Sequence, residues 1–146
     1  MGVAWYTSTY GDAFRDAHFV TMDIDPARAE LGAKDHVTGD VRDLESLFGE
    51  PFDVILLNGV IGYGLNDRDS VDRCLRACAA RLRPGGTLVL GINEEKSTNI
   101  DPSGTPAHAL FEPRALGRWP DGRVMVPVPF RENTHTFLFW RRLASR

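Results

Sequence analysis

Polar side chains stand at the ends of three apolar runs in this chain of 146 residues. Asp23 and Asp40 each follow a short run rich in β-branched residues, and Asn58 ends the run Phe52–Leu57. Carboxylate and amide groups supply the hydrogen bonds that orient a polar ligand. Ligands of open parallel sheets bind outside the carboxyl ends of the strands. These three positions therefore predict a ligand site at one edge of a sheet.

Tyrosine and histidine side chains are the candidates for moving a proton. A histidine is the commonest general base near neutral pH. His108 is the best candidate, because it lies in a long polar segment, 93–120, of the kind that often covers a site. His135 falls in a predicted strand, where a structural role is more common. Tyr10 remains a candidate acid or base, although a phenol with a reference pKa of about 10 needs tuning to act as a base.

Metal chemistry is not expected from this sequence. No pair of its four histidines has the spacing of metal ligands. Cys74 and Cys78 are four residues apart on the apolar stripe of a predicted helix. This placement favours packing over a redox or metal role.

Predicted strands and helices alternate along the chain before two strands follow one another near the end. The alternation predicts a single α/β domain, 1–146, with a doubly wound, Rossmann-like and mostly parallel sheet. The last two strands predict an antiparallel C-terminal pair at one edge, where prolines are tolerated. Strands are predicted at 2–7, 18–23, 35–40, 52–58, 87–92, 123–130 and 134–140, and helices at 8–17, 26–31, 41–48, 67–82 and 113–116.

Composition and charge narrow the class of protein further. Hydrophobic residues make up 42% and charged residues 25%, as in ordinary globular proteins. The net charge of −3 lacks the basic excess of a nucleic-acid binder. The longest apolar runs are far shorter than the roughly 18 residues of a membrane span. No signal peptide is apparent, so a cytoplasmic protein with no nucleic-acid or membrane partner is expected.

Four segments together resemble the core motifs of class I S-adenosylmethionine-dependent methyltransferases. Their order and spacing match over residues 2–94. The run Leu-Arg-Pro-Gly-Gly before a buried strand is a fairly specific signal, and the combination is more specific than any single segment. The resemblance implies a methyltransferase-like fold, with S-adenosylmethionine as cofactor and S-adenosylhomocysteine as product. The segments are VTMDIDP (20–26), HVTGDVRDL (36–44), FDVILLNGV (52–60) and LRPGGTLVLGINE (82–94).

The resemblance also implies roles for individual residues. Asp23, with Ile24 beside it, matches the position that binds the ribose hydroxyls of the cofactor. Asp40 matches the residue that accepts from the adenine amino group, and the Val41 backbone lies beside the ring. Asn58 and Gly59, at the end of the strand in the third segment, match the place where methyl donor and acceptor meet. Asn93 and Glu94 lie in the neighbouring loop, and Tyr63 is a candidate for stacking on a substrate.

The first motif of the family is a glycine-rich turn, and here this chain differs. Gly2 matches its first glycine, whereas Ala4 and Tyr6 stand where two more glycines are expected. The favoured function is methyl transfer to a small molecule, with Asn58, Tyr10 and His108 as catalytic candidates. The alternative is a methyltransferase-like protein that catalyses another small-molecule reaction or only binds a ligand or partner. A homodimer is also expected, because a shortened sheet leaves apolar surface for a second chain.

Overall fold

A computed structural model describes residues 4–93, 100–127 and 134–144 of the chain. The elements form a mixed α/β domain, and the observed fold confirms the predicted Rossmann-like class. The helices are α1 (Ala4–Ala13), α2 (Leu44–Leu47) and α3 (Arg68–Arg81), with 3-10 turns at Pro26–Leu31, Val41–Asp43, Pro102–Gly104 and Pro106–Leu110. The strands are β1 (Val20–Asp23), β2 (Asp35–Thr38), β3 (Phe52–Asn58), β4 (Leu82–Asn93), β5 (Phe111–Pro113), β6 (Arg123–Pro127) and β7 (Thr134–Arg142).

The strands form two sheets. β1 and β2 pair in parallel, and β3 and β4 pair in parallel at the start of a five-stranded sheet. β7 lies antiparallel beside β4, and both β5 and β6 pair antiparallel with the far edge of β7. The β6–β7 pairing confirms the predicted antiparallel strand pair, and Pro127 of β6 lies on a strand that pairs only with β7 among the described residues.

The N-terminal segment differs from its predicted structure. A strand was expected over residues 2–7, but α1 begins at Ala4, and residues 1–3 lie outside the described ranges. The C-terminal end of α1 is held by the Tyr10 hydroxyl, which accepts a hydrogen bond from the Asn58 amide at 3.1 Å. Just beyond it, the Phe14 ring stacks on Phe19 with centroids 5.6 Å apart. Tertiary contacts thus favour a helix here over the local propensity for a strand.

β3 is less enclosed by neighbouring strands than its sequence predicts. β3 is apolar on both faces, which is typical of a central parallel strand. Among the described residues, however, only β4 pairs with it. Val54, near its start, is 46% exposed as a result. The carboxyl end of β3 is nevertheless covered, because Tyr10 reaches Asn58 from α1.

Helix α3 is the best predicted element of the fold. The Asp67 side chain caps its N-terminus by accepting from the Ser70 amide at 2.7 Å. Its predicted apolar stripe is buried against the sheet, and the confirmed core positions are Val71, Cys74, Leu75, Cys78 and Leu82. The helix gives way to β4 at Leu82, five residues earlier than the predicted strand start, because Leu82 already pairs with Phe52 before a bulge.

The long polar segment is more ordered than predicted. Its described part packs along α3, where the Ala107 amide donates to Asp72 Oδ1 at 2.6 Å and Ala107 is fully buried. The short helix predicted at 113–116 is wrong, because Phe111–Pro113 pairs with Trp140–Arg142 as strand β5. Pro102, Thr105, Ala107 and Phe111 are buried, so residues 100–113 pack against the core and do not form a loose cover.

Candidate functional site

Two carboxylates lie at the carboxyl ends of the parallel pair β1–β2. Asp23 is the last residue of β1, and Asp40 follows β2 by two residues. The two ends are tied together, because the Gly39 amide donates to the Asp23 carbonyl oxygen at 2.9 Å. Asp23 Oδ1 accepts from the Asp25 amide, which fixes the turn into the next helix. The strand pairing therefore brings together the two acids that the sequence assigned to one ligand.

Apolar side chains accompany both acids. Ile24, next to Asp23, is 66% exposed. Val41, next to Asp40, is half-buried and packs against the core. An exposed isoleucine gains about 25 cal/mol for each Å² that a ligand covers. A flat, partly apolar group with hydroxyls at one end, such as a nucleoside, fits this combination of side chains.

Asp40 is held in its charged form by Arg42. The guanidinium binds both carboxylate oxygens, and the Arg42 amide donates to Oδ1 at 2.8 Å. The hydrogen bond from the Arg42 side chain is the main reason why the pKa of Asp40 lies below its usual value. A carboxylate offers about four acceptor positions, and the amide, Nε and Nη2 of Arg42 all donate to this one, so a further donor would share an oxygen with Arg42.

A second polar group forms where β3, β4 and β7 meet. Asn58, the last residue of β3, donates from Nδ2 to the Tyr10 hydroxyl at 3.1 Å. Its Oδ1 accepts from Nε2 of His135 on β7, also at 3.1 Å. β4 lies between the two strands, and Gly91 pairs with Asn58 on one side and Phe137 on the other. Asn58, Tyr10 and His135 are here called the amide cluster.

Gly91 is necessary for the amide cluster to form. A Cβ atom at this position would lie closer to Asn58 Oδ1 than real Cβ atoms approach, and 3.0 Å from His135 Nε2. With glycine, the two side chains meet over the bare backbone of the strand between them. Gly59, immediately after β3, has a φ of 67° and turns the chain away from the site.

The rim of the amide cluster carries an exposed aromatic ring. Asn93, the register partner of His135 on β4, donates from Nδ2 to the Tyr63 hydroxyl at 3.2 Å. Tyr63 lies on the loop after β3 and is 55% exposed. A planar ligand over the amide cluster would therefore have an aromatic side chain beside it.

The structure separates the candidates that the sequence grouped as catalytic. Asn58 and Tyr10 are in contact, but His108 is not part of this group. The His108 ring packs on Trp140 with centroids 4.7 Å apart, and Trp140 pairs with Leu88. Leu88 is three residues before Gly91, which corresponds to about 10 Å along the strand. The geometry instead brings in His135, which the sequence analysis treated as structural.

Four other positions complete the account of the predicted site. Ala4 and Tyr6 lie in the first turns of α1, whereas Gly2 and Glu94 lie outside the described residues.

The signal that could have identified His135 is its place at the start of β7. A strand antiparallel to β4 begins where β4 ends, so residues at its start lie near the carboxyl ends of the parallel strands.

Two classes of site receive no support from the described residues. In the ranges 4–93, 100–127 and 134–144, no three histidine, cysteine or acidic side chains are grouped as metal ligands would be. Within the same part of the chain, none of the helices has the length and apolar character that crossing a membrane requires.

Comparison with known proteins places these features in context. The sequence model of the methyltransferase domain matches residues 1–90. No curated protein sequence matches the chain. The N-methyltransferase NodS from Bradyrhizobium japonicum WM9 superposes with a TM-score of 0.68 at 16% identity, covering 94% of this chain and 81% of NodS.

Two further structures show the same fold at a similarly low sequence identity. The 1,6-didemethyltoxoflavin-N1-methyltransferase from Burkholderia thailandensis, with its substrate and S-adenosylhomocysteine bound, has a TM-score of 0.65 and 18% identity, covering 94% of this chain and 66% of that one. TrmN from Thermus thermophilus has a TM-score of 0.62 and 19% identity, covering 85% of this chain but only 36% of TrmN. At these identities the likeness shows the fold.

Proposed function

This chain belongs to the methyltransferase domain family, in the class I S-adenosylmethionine-dependent group, and we propose that it methylates a small molecule. S-adenosylmethionine is the cofactor, and S-adenosylhomocysteine is the product left after transfer. The observation that carries the proposal is the pair of polar groups at the strand ends. One group suits an adenosine, and the amide cluster suits a methyl acceptor.

Asp23 and Asp40 are proposed to hold the adenosine part of the cofactor. The Asp23 carboxylate would accept from the ribose hydroxyls, and Asp40 from the adenine amino group. Exposed Ile24 and half-buried Val41 would cover the faces of the ring. Support comes from the hydrogen bond that joins the ends of β1 and β2 and keeps these residues adjacent.

Asn58, Gly59 and Tyr10 are proposed to line the place where the methyl group is transferred. The cofactor supplies a methyl group already activated as a sulfonium. The protein then acts mainly by holding the acceptor atom in line with that methyl group, which provides a large part of the rate. The Asn58 amide suits this task because its hydrogen bonds with Tyr10 and His135 fix its orientation.

A small acceptor is favoured over a nucleic acid. The net charge of −3 provides no excess of positive charge for a phosphate backbone. The amide cluster is formed by neutral polar side chains, with Tyr63 at its rim. Such a site suits an uncharged ring compound better than a polyanion. The expected homodimer remains a prediction that light scattering would test.

The second candidate is a protein that keeps the fold without transferring methyl groups. One observation favours it: Ala4 and Tyr6 lie in a helix, where the family has a glycine-rich turn. Gly2, Ala4 and Tyr6 remain proposed contacts for the amino-acid part of the cofactor. The two candidates differ in whether S-adenosylmethionine still binds.

Calorimetric titration of S-adenosylmethionine and S-adenosylhomocysteine into the purified chain tests the proposal. A micromolar dissociation constant corresponds to about −8 kcal/mol. We expect binding of this order, and a loss of about 10- to 100-fold in Asp23→Ala, because a hydrogen bond to a charged group contributes about 1.5–3 kcal/mol. Asp16→Ala, an exposed acid in the turn after α1, is the matched control and should bind like the native chain.

The outcomes separate the two candidates. Binding that depends on Asp23 supports methyl transfer. A folded chain that binds neither compound would overturn it and favour the second candidate. Equal losses in the Asp23 and Asp16 variants would refute the assigned ribose contact.

A further inference from the structure

We propose that His135 is the general base of the methyl transfer and that the acceptor is a small planar ring compound bearing a neutral O–H or ring N–H. The inference rests on the proposed function and deepens it, because it assigns the base and the acceptor class. The observations that carry it are the hydrogen bond between His135 and Asn58, the second ring nitrogen of His135, and the aromatic rim.

The contact with Asn58 fixes the proton on one ring nitrogen of His135. Asn58 Oδ1 can only accept, so the Nε2 atom 3.1 Å away must carry a hydrogen and donate it. In a neutral imidazole the other nitrogen, Nδ1, then has a lone pair and no proton. The Asn58 amide thus selects the tautomer in which Nδ1 can take up a proton.

Among the described residues, no hydrogen-bond partner is recorded for Nδ1 of His135. The ring also packs against Phe137, with centroids 4.7 Å apart. A histidine with a purely structural role usually has both nitrogens satisfied when it is partly buried. The ring is therefore oriented through Nε2, and Nδ1 is the nitrogen that we assign to the ligand.

The surroundings keep the ring neutral. Burial lowers the pKa of His135 from its usual value of about 6.5. Among the described residues, the groups that face it are Asn58 from β3, Asn93 from β4, Val126 from β6 and, through Asn58, Tyr10 from α1. None of these is a carboxylate, an amine or a guanidinium.

The rim defines the shape of the acceptor. Asn93, the register partner of His135, donates to the Tyr63 hydroxyl, so one side chain links the exposed tyrosine to the base. Aromatic side chains prefer to pack against other flat rings, at about 0.5–1.5 kcal/mol beyond the area they bury. A neutral O–H or ring N–H on such a ring could donate to Nδ1 while the ring packs beside Tyr63.

The transfer step balances with these groups alone. A lone pair on the acceptor oxygen or nitrogen forms the new bond to the methyl carbon. The carbon–sulfur bond of the cofactor breaks, and its electron pair stays on sulfur as a neutral thioether. The acceptor proton passes to Nδ1 of His135, and the resulting imidazolium returns it to solvent.

Nitrogen NMR on the native chain, labelled with ¹⁵N-histidine, tests this assignment. The chain has four histidines, so His135→Gln identifies the His135 resonances, and His18→Gln serves as the control for an exposed histidine. With saturating S-adenosylhomocysteine at neutral pH, we expect a protonated Nε2 and an unprotonated Nδ1. The probes are phenol, which has a neutral O–H, and anisole, in which a methyl ether replaces it.

Phenol should shift the Nδ1 resonance of His135, and anisole should leave it in place. Asn58→Leu should remove the preference for one tautomer and weaken the response to phenol. A proton on Nδ1, a charged ring at neutral pH, no response to phenol, or equal responses to both probes would each overturn the inference. Binding of S-adenosylhomocysteine is measured by calorimetry on the same sample, so failure of the proposed function is recognised separately.

Discussion

Asn58 and His135 approach to 3.1 Å although their strands are not neighbours. β4 lies between β3 and β7, and the two side chains meet over Gly91. The contact joins the end of a parallel strand to the beginning of an antiparallel one. It therefore depends on the register of three strands at once, and its consequences can be measured one residue at a time.

Gly91→Ala should destabilise the domain and separate Asn58 from His135. The added Cβ would overlap Asn58 Oδ1, and overpacking of this kind costs about 1–3 kcal/mol in the free energy of unfolding. Urea denaturation measures the loss, and the ¹⁵N spectrum reports the His135 tautomer. Gly49→Ala is the control, because a Cβ there meets nothing within 4 Å. Equal effects of the two substitutions would show that the contact between Asn58 and His135 does not require a glycine at position 91.

Arg42→Met should flatten the pH dependence of stability in acid. The pKa of Asp40 is lowered in the folded state by the hydrogen bond from Arg42. Its stabilisation is therefore fully present above the ordinary value of about 3.8 and is lost as the pH falls through the lower, folded value. Urea unfolding at pH 6 and in steps down to pH 2 should show a smaller loss in the variant than in the native chain.

Arg28→Met provides the matched comparison for that experiment. Arg28 lies 3.7 Å from Asp25 in a pair of half-exposed side chains, and such pairs contribute about 0–1 kcal/mol. Its acid profile should follow that of the native chain. If Arg42→Met also follows the native profile, the ion pair with Asp40 does not contribute to acid stability.

Cys74 and Cys78 should resist alkylation in the folded protein. Both thiols are buried in α3, and the hydrogen bond with Cys74, together with burial, raises the pKa of Cys78 well above its usual value. Thiolates are the reactive form, so modification requires unfolding. Iodoacetamide labelling followed by mass spectrometry should be over about 1,000-fold slower than in urea, as expected for an unfolding free energy of about 5 kcal/mol or more. Rapid labelling of the native chain would contradict the buried assignment.

His108→Gln should lower stability while leaving the ligand sites intact. The ring contributes through its contact with Trp140, and pairs of stacked rings are worth about 0.5–1.5 kcal/mol. Affinity for S-adenosylhomocysteine and the His135 spectrum should match those of the native chain. Unchanged unfolding together with weakened ligand binding would instead return His108 to the site that the sequence assigned to it.

The sequence by itself determined the elements whose signals are local. The apolar stripe specifies α3, because its period lies within one helix, and Asp67 caps the helix at its predicted start. The four motifs specify the family and place Asp23 and Asp40 after adjacent parallel strands. These features depend on periodicity, capping and order along the chain, which can be recognised without coordinates.

The tertiary structure alone decided which distant residues meet. α1 replaced a predicted strand, and β5 replaced a predicted helix, because contacts with Asn58 and with β7 outweighed the preferences of short segments. For a similar reason, His108, which was expected at the site, packs on Trp140, and His135, which was expected to be structural, contacts Asn58. Strand direction and register decide which end of the sheet a residue reaches, and neither is encoded in the local pattern around a single histidine.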